Sequence, residues 1–129
     1  MVSKSPISPG RIRRVPRQFS WVDHRLVRDG HIERFSHADG LLYLFLTIVG
    51  DSQGLSYYGD KSIMKRLNLQ PGSLDTARNH LVELGLIAWH RPLYQVLSLD
   101  EAPQPVRPSM TQPVSMKTLF QQIAGGRDD

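Results

Sequence analysis

The sequence predicts a mostly α-helical α+β domain that closes with a small β-hairpin. Three observations lead there. Apolar residues recur at helical spacing in several stretches between Ser36 and Leu84. Two β-prone runs, Leu86–His90 and Leu93–Leu99, are parted only by Arg91-Pro92, which reads as a hairpin. At 129 residues the chain has length for one core, a second needing roughly 100 more residues.

The elements follow in order. Ser20 and Asp23 have capping-box spacing, and Gly30 is placed to end a short helix. Ser36 and Asp39 repeat that spacing before Leu41, Leu42, Leu44, Phe45 and Ile48, a wide apolar face expected to be mostly buried; Gly50 should end this helix. Asp51-Ser52-Gln53-Gly54 is turn chemistry, and Leu55-Ser56-Tyr57-Tyr58 reads as a short strand. Asp60 is expected to cap a helix to about Leu67, with Ile63, Met64 and Leu67 inward. After the turn Asn68-Leu69-Gln70, Pro71 suits a first helical position, because the missing N–H has no partner there anyway. Leu74, Ala77, Leu81 and Leu84 then line one helix face, and Gly85 supplies a left-handed residue after its end.

The flanks differ in composition. Residues 1–18 are rich in Ser, Pro and Arg without hydrophobic period, and read as a flexible basic arm. Residues 19–99 form the expected domain. Residues 100–114 carry Pro103, Pro105, Pro108 and Pro113, which exclude helix and ladder and give a semi-extended linker. In residues 115–129, Met116, Leu119, Phe120 and Ile123 fall on one face of a short amphipathic helix. A helix that short is marginal alone. Its apolar face must dock on its own domain, pair in a homodimer, or enter a partner protein.

Charge is unevenly spread. The formal balance is +4, with a pI near 9.8. Residues 1–18 hold Lys4, Arg11, Arg13, Arg14 and Arg17 and no acid, whereas residues 19–60 come to −3 and residues 61–99 to +3. Two basic segments around a mildly acidic one suit a polyanionic partner.

Several chemistries are excluded or unsupported. Cysteine is absent, which removes disulfides, thiol nucleophiles and cysteine-based metal sites and suits a reducing cytoplasm. The apolar run Leu41–Val49 is about half of a membrane span. His24, His31, His37, His80 and His90 show no ligand spacing, so no metal or other cofactor is expected. No nucleophile elbow, phosphate-binding glycine loop or carboxylate cluster is present, and a non-enzymatic protein is expected. Trp21, Trp89, Tyr57, Tyr58 and Tyr94 read as core or half-buried strand residues, stacking on single-stranded nucleic acid being the sharper alternative.

The stretch from Ser56 through Leu99 resembles a winged helix–turn–helix domain. Leu81-Val82-Glu83-Leu84-Gly85-Leu86-Ile87 is similar to the segment by which recognition helices of that family enter the wing. Ile63-x-x-x-Leu67-Asn68-Leu69, a polar turn and a new helix match upstream. With Phe19–Gly50 as preceding helices, the likeness is to N-terminal domains of plasmid and phage replication initiators and primosome proteins. It implies double-stranded DNA binding, as a transcriptional regulator or a replication or mobile-element accessory. In that frame Ser73, Thr76, Arg78 and Asn79 meet base edges, asparagine suiting adenine and arginine guanine. Lys61, Lys65, Arg66 and Arg91 meet phosphates, as do Arg11, Arg13, Arg14 and Arg17 of the arm. A solvated helix face is the alternative for the residues of the two helices, and a disordered basic tail with no DNA role is the alternative for the arm. The family's recognition helices often carry several bases, whereas this one carries Asp75 and a single arginine. The rival function is a winged-helix protein-interaction module that docks a partner through its helices and the Met116–Ile123 segment.

Overall fold

The structure, a computed structural model, describes residues 4–100. The Met116–Ile123 segment and all but the first residue of the Pro-rich stretch lie outside the described residues. Among the described residues the architecture is mixed α+β: four α-helices, two 3₁₀ turns and a three-stranded antiparallel sheet.

Residues 4–20 are exposed throughout and contain one 3₁₀ turn, Pro9–Arg11. Helix α1 (Arg25–Arg28) is shorter than its sequence signals suggested. Ser20 does not cap it, because its Oγ donates instead to the carbonyl of Ile48, 3.1 Å away. Asp23 does the local work, accepting from the Arg25 backbone N–H at 2.8 Å. Gly30 follows the helix with φ +80°, and Leu26 anchors the turn in the core.

Helix α2 (His37–Val49) begins with a complete capping box. The Ser36 Oγ accepts from the Asp39 N–H at 3.0 Å, and the Asp39 carboxylate accepts from the Ser36 N–H at 2.9 Å. Two of the helix's orphan donors are thereby satisfied. Gly50 is the C-terminal cap, as expected. Burial divides the apolar face: Leu42, Tyr43, Phe45 and Leu46 are inside, whereas Leu41, Leu44 and Ile48 are exposed. Of the five positions on the expected face only Leu42 and Phe45 are buried, so the expectation that this face is mostly buried is corrected.

Strand β1 (Leu55–Tyr57) leads to α3 (Asp60–Leu67). Gly59, not Asp60, occupies the cap of α3, and Asp60 turns its carboxylate to α4. Asn68 ends α3 in the left-handed region at φ 55°, a conformation asparagine tolerates better than most residues. Helix α4 (Pro71–Glu83) has its proline at the first position and Leu74, Ala77 and Leu81 in the core. Gly85, at φ +77°, turns the chain into β2 (Ile87–His90), and Arg91-Pro92 returns it along β3 (Leu93–Val96).

The sheet order is β1-β3-β2, so the last strand lies in the middle. Trp89 pairs with Tyr94 across the hairpin, and Ser56 pairs with Tyr94 from the other side. Tyr94, Leu42, Leu46, Ile63, Leu74, Leu81, Leu86 and Ile87 are the largest fully buried apolar residues, and they come from α2, α3, α4 and the sheet. One core thus fixes α4 against α2 and the hairpin.

Candidate nucleic-acid interface

The surface in question is built by α3, α4 and the hairpin. Its elements are tied together by Arg78. This residue follows Ala77 on the inward side of α4, and its side chain is only 3% exposed. Its guanidinium donates to Asp60 at the start of α3 (2.9 Å), to Asp75 one turn back on α4 (2.7 Å) and to the Tyr94 hydroxyl on β3 (2.8 Å). It also lies 3.8 Å from the Trp89 ring centre on β2, a stacked cation–π contact. Burial works against its charge, but the hydrogen bonds to Asp60 and Tyr94 prevail and raise its pKa further. Burial raises the Tyr94 hydroxyl as well, against the pull of Arg78. One side chain therefore joins α3, α4, β2 and β3.

That placement removes Arg78 from the base-contact set. A guanidinium whose terminal nitrogens are held by two carboxylates and a phenol, and whose Nε is buried without a partner, is not presented to a groove edge. The other three predicted base contacts, Ser73, Thr76 and Asn79, are exposed on α4. Ser73 and Thr76 also line an open depression of about 510 Å³ shared with Ser36, Ala38, Gln70, Gly72 and Ala77. Asp75 and Glu83 are exposed on α4 as well, so its outer face carries hydroxyls, an amide and acids but no exposed lysine or arginine.

The cations sit on the neighbouring elements. Lys61, Lys65 and Arg66 are exposed on α3, and Lys61 and Lys65 are one turn apart on the same face. Arg91 is exposed at the hairpin turn, its guanidinium 5.3 Å from the Trp89 ring centre. Among the described residues none of these four has a carboxylate partner, nor do Arg11, Arg13, Arg14 and Arg17 of the arm. Among the described residues no hydrogen bond or ion pair ties the arm to α3 or α4.

A second polar tie orients α4. His80 Nδ1 contacts the buried Asp39 carboxylate, the same group that completes the cap of α2. The start of α2 and the last turns of α4 are thus connected through one carboxylate.

Sequence reasoning missed the role of Arg78, although a signal for it existed. Positions 74, 77, 78 and 81 fall on one helical face, and Asp75 and Asp60 supply the charge that a buried arginine needs. The aromatic expectation also needs correction. Tyr94 is fully buried and Trp89 and Tyr58 are half-buried, but Trp21 and Tyr57 are exposed. Among the described residues no group of His, Asp and Glu is placed to hold a metal ion, and no helix is long and apolar enough to cross a membrane.

No family model, curated protein or solved structure matches the chain.

Proposed function

We propose that the protein binds double-stranded DNA in the manner of a winged helix, serving a regulator or a replication or mobile-element process. The observation that carries this reading is the set of exposed cations on α3 and at the hairpin turn, elements that pack against α4, with no carboxylate partner among the described residues. Free lysines and arginines at such positions neutralise phosphates, which supplies most of non-specific affinity and sets the register of the groove-facing helix. Base reading then falls to Ser73, Thr76 and Asn79, with Asn79 the residue suited to an adenine edge. Without an arginine on that face, affinity is dominated by phosphates and sequence preference is modest.

The test is fluorescence anisotropy with duplex DNA over a salt series, comparing the chain with Lys61→Ala/Lys65→Ala/Arg66→Ala. Each lost phosphate contact should reduce the log–log salt slope by about 0.9, so the triple variant should lose up to about 2.7. An Asn79→Ala variant should keep the slope and lose preference among sequences. No binding by the unaltered chain at low salt would overturn the reading.

The second reading, a protein-interaction module, has its own support in the exposed apolar residues of α2. It predicts equal behaviour of the two variants toward DNA.

A further inference from the structure

The outer face of α2 carries a stripe that the DNA reading does not use. His37, Leu41, Leu44 and Ile48 are all exposed and follow one another at spacings of four, three and four. That is the spacing of a two-helix seam, in which alternate steps of three and four keep one line of side chains facing a partner helix. Leu41 is 39% exposed, Leu44 49% and Ile48 57%. At the C-terminal end of the stripe the Ser20 Oγ is bonded to the Ile48 carbonyl. This bond brings in Phe19 and Trp21, which are 65% and 75% exposed.

We propose that this face is the homodimer interface of the protein, with α2 of one copy packed antiparallel on α2 of the second. The inference is independent of the DNA reading. Two arguments select a second copy as the occupant. The first is area. With roughly 150–250 Å² for a whole aromatic side chain and less for an aliphatic one, these five apolar residues expose on the order of 500 Å². A standard interface buries about 800 Å² per partner, including a polar rim, so the patch is the apolar centre that such an interface needs. A patch of that size is at the upper end of what a single chain ordinarily leaves exposed, and such patches are often functional.

The second argument is charge. Helix α2 contains no lysine, arginine or glutamate, and its one carboxylate, Asp39, is buried. Gly40 and Thr47, small and uncharged, are the stripe's neighbours on one side. A face that meets its own copy across a two-fold axis brings each charge close to its twin or its neighbours, and an uncharged helix avoids that repulsion. A face built to select a different protein ordinarily carries charge to orient it.

Sedimentation equilibrium of the full chain is the test, with Leu44→Glu as the variant and circular dichroism as the check on folding. The expected result is a mass of twice 14.6 kDa and a dissociation constant raised about 100-fold or more by the buried like charges. Should Leu44→Glu fail to fold, Ile48→Lys makes the same test at a more exposed position. The absence of cysteine gives a second readout. Leu44→Cys should oxidise to a linked dimer, because a disulfide needs Cα atoms within about 7 Å, whereas Gln95→Cys on the sheet should not. A chain that is monomeric at all concentrations would overturn the proposal, leaving the stripe to its own Met116–Ile123 segment or to another protein. A dimer indifferent to both charge variants would overturn it too, by placing the interface elsewhere.

Discussion

Arg78 shows how one residue can exchange a functional reading for a structural one. On α4 it looks like a groove-reading side chain, yet it is sequestered by Asp60, Asp75, Tyr94 and Trp89. Arg78→Ala would leave the Asp60 carboxylate and the Tyr94 hydroxyl short of a donor and remove a stacked cation. The expected cost is about 3 kcal/mol, the low end for breaking a buried ion pair because Asp60 and Asp75 are partly solvated. Chemical denaturation reads this directly. Asp75→Asn should cost under about 1 kcal/mol, since that side chain is 63% exposed and Asp60 remains as partner. A groove-reading Arg78 would instead give a stable Arg78→Ala variant with altered sequence preference. Asp23 and Asp51 make a prediction in pH. Hydrogen bonds from the Arg25 side chain and backbone lower Asp23 to about 2, and the Leu55 and Gln53 backbone N–H groups lower Asp51. Both groups bind protons more readily in the unfolded chain, where a carboxylate titrates near about 4. Their contribution is therefore present above about pH 4 and lost as pH falls through their lowered folded-state values, about 2 for Asp23. Thermal melts between pH 5 and 2 should show that loss, and Asp51→Asn should flatten its part of it.

At the scale of the element, the helices differ in how much their own sequence says. Helices α2 and α4 were legible because cap, period and stop agree: Ser36 with Asp39 before the apolar run to Gly50, and Pro71 before Leu74, Ala77 and Leu81 to Gly85. Helix α1 was less so, since Ser20 has a distant acceptor in Ile48 that no local spacing reveals. The Asp60 cap failed for the same reason, its carboxylate being claimed by Arg78 eighteen residues on. Periodicity also cannot decide which side of an apolar helix faces inward; in α2 it marked Leu41, Leu44 and Ile48 as apolar, and only the packing of Leu42, Phe45 and Leu46 shows them to be outside. That Lys61, Lys65, Arg66 and Arg91 would be exposed was legible from residue type and position, whereas the burial of Arg78 depends on partners from three other elements. Two substitutions check the elements. Ser36→Ala removes one half of the capping box and should cost about 1 kcal/mol. Gly54 is a sharper case: at φ +82° its carbonyl accepts from the Val96 N–H at 2.9 Å, and a Cβ there would lie 2.7 Å from the Val96 carbonyl oxygen. Gly54→Ala must both strain the backbone and push β3 away from the turn that precedes β1. Its expected cost exceeds about 2 kcal/mol, read by the same denaturation experiment.

For the whole molecule the decisive property is the separation of its cations into those that hold the fold and those that are free. Arg25 and Arg78 are engaged with carboxylates, and removing Arg78 acts through stability. Arg11, Arg13, Arg14 and Arg17 precede the first core residue, Leu26, are fully on the surface and make no ion pair among the described residues. Replacing all four with serine should leave the melting temperature unchanged, because no buried contact is lost. If the arm follows the DNA backbone, the same replacement should reduce the log–log salt slope by up to about 3.6, at 0.9 per phosphate. The loss should add to that of the α3 triple variant, since the two groups share no partner. An unchanged slope would confine the interface to α3, α4 and the hairpin. A fallen melting temperature would instead mean that the arm packs on the domain, and the slope would then report folding as well as contact.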